Sequence, residues 1–187
     1  MKALACAVLL VAALTGCGSS AASTPPAAAP PPTVSKFAVN PSFNATDLAW
    51  IELMIPMDDQ LIRVLGMAQK QAADPAVRTF ATQVSSGHKT EVAQFVALRT
   101  RANWPAKNPH EGHDMPGMMT EPEIVTLGKT KGAAFDQLFE KNLKEHLDQS
   151  IVLARSITTD GKDAETKKLA ASIMTSRAAQ LKQLAAL

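Results

Sequence analysis

Residues 44–68 read NATDLAWIELMIPMDDQLIRVLGMA, and the spacing of their apolar groups decides the fold. Trp50, Met54, Met57, Leu61, Val64 and Ala68 recur at alternating steps of four and three, the repeat of one helix face. Asn44, with Asp47 three residues on, opens this helix as a capping box, in which each side chain meets the other residue's backbone N–H. Pro56 removes one backbone donor and predicts a bend beside Asp58 and Asp59.

Outward from that helix the pattern repeats. Asp74-Pro75 supplies an N-cap followed by proline at the first helical position, where a missing N–H costs nothing. A second helix is expected to about Arg101, with Val77, Ala81, Val84, His88, Glu91, Phe95 and Leu98 on one face, stopping before Trp104-Pro105. Thr120 and Glu123 predict a capped short helix to about Lys129. A further helix begins near Gly132, with Phe135, Phe139, Asn142, His146, Gln149 and Leu153 on its expected face. Asp160-Gly161 makes a turn, and Asp163 caps a last helix striped by Ala170, Ile173, Arg177, Gln180 and Leu184.

The two halves are an internal repeat. A constant offset of 89 lays Asp59-Gln60 on Asp148-Gln149, Ile62 on Ile151, Asp74 on Asp163, Ala81 on Ala170 and Val84 on Ile173, with no gap. The same offset lays Met57 on His146, His88 on Arg177 and Glu91 on Gln180. The expected architecture is therefore all-α: a four-helix bundle of two helical hairpins, 43–101 and 132–187. A connecting loop and the short helix, 102–131, join them. The inward polar residues Asp58, His88, Glu91, Arg177 and Gln180 should form one layer across the core, with Arg177 pairing with Glu91 or Asp58. A guanidinium among carboxylates competes with a metal cation for the same space, so this layer reads as a structural network.

The connecting loop holds the densest chemistry, HEGHDMPGMM at His110–Met119. Two of the four histidines in the chain (His110, His113) and three of its eight methionines (Met115, Met118, Met119) fall in these ten residues. Gly112, Pro116 and Gly117 break any helix here. Imidazole and thioether donors together suit a soft ion such as Cu(I), and His146 is the expected helical contributor. The competing interpretation is a connector whose methionines pack onto the bundle.

Residues 1–16, MKALACAVLLVAALTG, carry one lysine and then a small, apolar run, the pattern of a secretory signal. Leu14-Thr15-Gly16-Cys17 resembles the lipobox of bacterial lipoproteins, which implies cleavage before Cys17, lipidation of its thiol, and an extracytoplasmic, lipid-anchored place in the cell envelope. Loss of Cys6 with the signal would leave no intrachain disulfide. Residues 17–42, rich in Ala, Pro and Ser, read as an extended tether that cannot bury a core. Residues 43–187 suit one domain.

Composition narrows the function further. The 19 basic and 17 acidic residues nearly cancel, Tyr is absent, and no basic stripe interleaves with stacking groups, which argues against nucleic acid as a partner. No Glu has a His three residues later, as a ferritin-type di-iron centre requires. His110-Glu111-Gly112-His113 is one residue short of the zinc-protease spacing and lies among helix breakers, and no G-x-S-x-G elbow is present. The expectation is a protein that is not an enzyme.

Four segments carry a family resemblance: FNATDLAWIELMIP (43–56), DPAVRTFA (74–81), HDMPGMMT (113–120) and GAAFDQLF (132–139). In order and separation they resemble the bacterial "domain of unknown function 305" family, exported proteins with a ferritin-like four-helix fold. The resemblance implies copper binding through His and Met residues. Where the family has a His-His pair after MIP, this chain has Met57-Asp58. Where it has a second pair, this chain has His146-Leu147. The family's Gln-x-x-Glu is His88-Lys89-Thr90-Glu91 here, and its counterpart is Arg177-Ala178-Ala179-Gln180. Two functional readings follow. One is a lipoprotein that buffers, senses or hands on copper to a transfer partner. The other is a structural or interaction lipoprotein that keeps the fold without the metal.

Overall fold

A computed structural model describes residues 38–187; the signal segment, Cys17 and nearly all of the tether lie outside the described residues. Five helices follow in order: α1 (Ala45–Gln71), α2 (Pro75–Arg101), α3 (Glu121–Lys129), α4 (Ala133–Asp160) and α5 (Ala164–Leu184). None of them is long and apolar enough to cross a membrane. α1 packs along α2 and α4 along α5, and α1 and α4 bring the two hairpins together.

The helix starts follow the local chemistry. Asn44 and Asp47 form the capping box of α1, Asp74 caps α2 ahead of Pro75, and Asp163 caps α5 by accepting from Thr166 N. Each such cap satisfies an amide that would otherwise lack a partner, at about 1 kcal/mol. α1 continues as one helix through Pro56. The inward face of α4 differs from the sequence expectation: Leu143, Leu147, Ala154 and Ile157 join Phe135, Phe139 and His146 as its buried residues. Asn142, Gln149 and Leu153 are only half-buried. The larger apolar groups claim the interior, while Asn142 turns back to donate to Leu138 O.

The core comes in two apolar clusters. One gathers Ile51, Met54, Met57, Phe95, Ala154, Ile157 and Ile173. The other gathers Leu61, Leu65, Val84, Phe135, Phe139, Leu143 and Leu147. Burying each such side chain contributes about 1.5–3 kcal/mol. Along every long helix the boundary between the clusters falls at a polar residue: Asp58 on α1, His88 on α2, His146 and Ser150 on α4, Arg177 on α5.

The repeat has a physical counterpart at the turns. Asp47, at the start of α1, accepts from Lys162 N and Asp163 N in the turn of the other hairpin, at 3.0 and 3.1 Å. Asp136, at the start of α4, accepts from Ala73 N and Asp74 N in the turn of the first, both at 2.9 Å. These residues are related by the same offset of 89. Each hairpin therefore clasps the turn of its mate.

Candidate metal centre

At the boundary between the clusters, three helices deliver three donor groups to one point. Asp58, His88 and His146 each offer a ligand atom, all within 4.8 Å of one another, and all three residues are buried. His88 Nδ1 lies 3.0 Å from Asp58 Oδ1, and His146 Nε2 lies 3.5 Å from the same oxygen. Donors bound to one ion at about 2.0–2.2 Å stand roughly 3–3.5 Å apart, so these separations suit a shared cation. Two imidazoles and a carboxylate are a donor set for copper or zinc rather than for calcium or magnesium.

The hydrogen bonding of His146 defines what it offers. Its Nδ1–H donates to the Gly117 carbonyl at 3.2 Å, since a carbonyl can only accept. In the neutral ring the lone pair is then on Nε2, which is buried and has no hydrogen-bond partner. It faces a carboxylate oxygen, lone pair towards lone pair, unless a cation or proton lies between them. A backbone carbonyl that fixes the tautomer in this way is the usual outer support of a metal-binding histidine.

Asp58 Oδ2 and His88 Nε2 are likewise buried without partners. Each is costly if left so, which marks the centre as incomplete within the protein alone. Burial raises the Asp58 carboxyl, but the His146 and His88 imidazoles and the Arg177 guanidinium around it outweigh that and hold it well below the usual carboxylate range. Burial pushes His88 down, against the pull of Asp58 and with further depression from Arg177 and His146. The centre thus presents a carboxylate and a neutral imidazole from α2.

Arg177 borders this centre. It is fully buried, its Nη1 donates to Glu91 Oε1 at 3.1 Å and its Nη2 to Glu91 Oε2, a bidentate pair. The same Nη2 lies 3.2 Å from His88 Nδ1 and 3.6 Å from Asp58 Oδ1. One imidazole nitrogen cannot donate to Asp58 and accept from Arg177 in the same tautomer, so His88 is contested from two sides. Gln180 is half-buried, and its Oε1 has no partner.

The loop residues are distributed differently. His110, His113, Met118 and Met119 line a groove of about 560 Å³ between α1 and the loop, with Asp59 and Gln60 on the helix side. The two imidazole rings are 6.4 Å apart, His110 half-buried and His113 exposed. Met115 is half-buried and is not among the residues lining the groove. Met118 packs against the first apolar cluster, and Met119 is a buried member of the second. Gln60 fastens the loop: its Nε2 donates to Met119 O at 2.8 Å and its Oε1 accepts from Met119 N at 2.7 Å.

His146 meets the loop through a backbone carbonyl and turns its other nitrogen to the core; it shares with Met119 only a small void of about 10 Å³. Of the six residues grouped from the sequence as one metal set, His110, His113, Met118 and Met119 line the surface groove, His146 belongs to the buried centre, and Met115 lies in neither. The buried centre draws Asp58 and His88 from the residues read as a structural network. The signal for this was present in the offset that lays Met57, next to Asp58, on His146. The support given by Gly117 and Gln60 was not foreseen, because neither contact follows from residue type.

The family description "Domain of unknown function (DUF305)" matches residues 47–187. Among solved structures, a DUF305 fragment from Deinococcus radiodurans is similar with a TM-score of 0.69 at 15% identity, covering 77% of this chain and 95% of that one. CopM in its Cu(II)-bound form is similar with a TM-score of 0.63 at 23% identity, covering 74% of this chain and 92% of that one. CopM in its Cu(I)-bound form gives 0.62 at 22% identity, covering 75% and 94%. These likenesses show a shared fold. No curated protein sequence matches the chain significantly.

Proposed function

The chain belongs to the DUF305 family, and from that premise we propose that it is a non-catalytic, extracytoplasmic copper-binding protein, anchored to membrane lipid through Cys17. The observation that carries the reading is the His146 imidazole, tied by Nδ1–H to Gly117 and offering an unpartnered, buried Nε2 beside Asp58 and His88. CopM, a structural neighbour, is known with Cu(I), Cu(II) and silver bound, which supports a soft or borderline ion. In this reading Asp58, His88 and His146 hold the ion, and the loop groove, with His110, His113 and Met118, is where it is first captured from solvent or passed to a transfer partner. Bound copper supplies no reaction here; it is the cargo.

The purified protein, loaded with Cu(I) under reducing, anaerobic conditions and then dialysed, should retain copper in stoichiometric amount. His88→Ala/His146→Ala should lose it, while His110→Ala/His113→Ala should retain it but load more slowly. Full retention by the His88/His146 double variant would overturn the assignment to the buried centre.

A further inference from the structure

We propose that Arg177 is a built-in cation that makes the buried centre select its ion by charge, favouring a monovalent over a divalent ion. This rests on the reading of Asp58, His88 and His146 as a metal centre and deepens it. Among the charged groups gathered there, Asp58 and Glu91 bring two negative charges and Arg177 brings one positive charge, its Nη2 bonded to Glu91 and 3.6 Å from Asp58 Oδ1. Both histidines enter as neutral ligands. The neighbouring Asp59 is exposed and faces the groove, so it does not alter this count.

The cluster therefore lacks one unit of positive charge. A monovalent ion completes it, whereas a divalent ion leaves a surplus charge in a buried site. Uncompensated charge in such a place is strongly disfavoured. A fixed cation also repels a divalent ion twice as strongly as a monovalent one. Over about 6 Å, with an effective protein dielectric of about 20, one unit of charge changes relative binding by roughly 100-fold. Arg177 has no route to relieve it: the residue is fully buried, and a guanidinium does not give up its proton.

Charge, rather than occupied space, sets this preference, and substitutions separate the two. Ag(I) and Co(II) serve as redox-stable monovalent and divalent probes. Binding of each is measured by equilibrium dialysis on the full chain in chloride-free buffer, with His88→Ala in each background to define binding at the centre. Co(II) ligation is also read from its visible absorption. Arg177→Met should shift preference towards Co(II) by roughly 100-fold, because two uncompensated carboxylates then suit a divalent ion. Glu91→Gln should shift it as far the other way while keeping a hydrogen-bond acceptor for Arg177. Glu91→Gln/Arg177→Met restores the original net charge without the guanidinium, and should return to the preference of the unaltered protein.

The outcomes divide cleanly. A Co(II)-to-Ag(I) ratio unchanged in Glu91→Gln overturns the proposal even if Arg177→Met does not fold. A double variant that prefers Co(II) overturns it too, since the guanidinium would then act by filling space. If neither ion shows His88-dependent binding in any variant, the metal centre itself falls, and the charge selection with it.

Discussion

Arg177 is the residue on which most of the core electrostatics turns, and its effect on stability can be separated from its effect on ions. A buried ion pair contributes little net stability, because desolvation offsets most of the attraction, but removing one partner strands the other. Arg177→Met should therefore cost roughly 3–5 kcal/mol in urea unfolding of the metal-free protein, and Arg177→Met/Glu91→Leu should recover much of it. Asp163 makes a second test at this scale. Burial raises its carboxyl, but hydrogen bonds from Arg101 and from the amide and hydroxyl of Thr166 outweigh it and leave it below the ordinary value of 3.8. A carboxyl lowered by folding adds stability above its unfolded value, and that stability is lost as the pH falls through its folded value. Asp163→Ala should thus cost about 1–2 kcal/mol near neutrality, and its gap from the unaltered protein should narrow below pH 3.8, followed by thermal unfolding across that range.

At the scale of the elements, helices were far more legible than the loop. Capping residues and a four-three apolar repeat are local, so Asn44, Asp74, Thr120 and Asp163 mark helix starts directly. The face of α4 was read slightly askew, because a polar residue beside a stripe satisfies itself on its own backbone, as Asn142 does. The loop's chemistry was legible as composition, but its division between groove and core depends on tertiary contacts. Gly117 shows why. Its φ is +78°, and a Cβ there would stand 2.6 Å from Gln149 Cβ, so the loop lies on α4 only because that atom is missing. Gly117→Ala should lift residues 115–119 away from α4 and weaken the hydrogen bond that fixes the His146 ring. The expected signature is faster amide exchange through this segment, with α1 and α2 protected as before. Unchanged exchange there would mean that the loop is held by Gln60 alone.

Across the whole molecule, the offset of 89 pointed to paired hairpins, yet it gave no hint of how they hold one another. Asp47 reads in the sequence only as the capping-box partner of Asn44, and Asp136 as an ordinary acidic residue near a helix start; only the fold shows each reaching into the opposite turn. Removing the Asp136 carboxylate leaves two backbone N–H groups without partners, and removing that of Asp47 leaves three, Asn44 N among them, at about 1–3 kcal/mol each where they are buried. Asp47→Ala and Asp136→Ala should each destabilise by roughly 2–4 kcal/mol, and because they share no partner their losses should add in the double variant. Chemical denaturation of the three variants checks both the size and the additivity.

That reciprocity has a consequence for descent. Two separate, identical hairpins could clasp each other's turns just as these do, but every position of such a pair would be present in duplicate. A histidine at 88 would oblige a histidine at 177, and an arginine at 177 another at 88. Joining the hairpins in one gene releases the copies from that obligation. One copy carries an imidazole and its mate a guanidinium, 3.2 Å apart in the core, a lopsided centre that no pair of identical partners can encode.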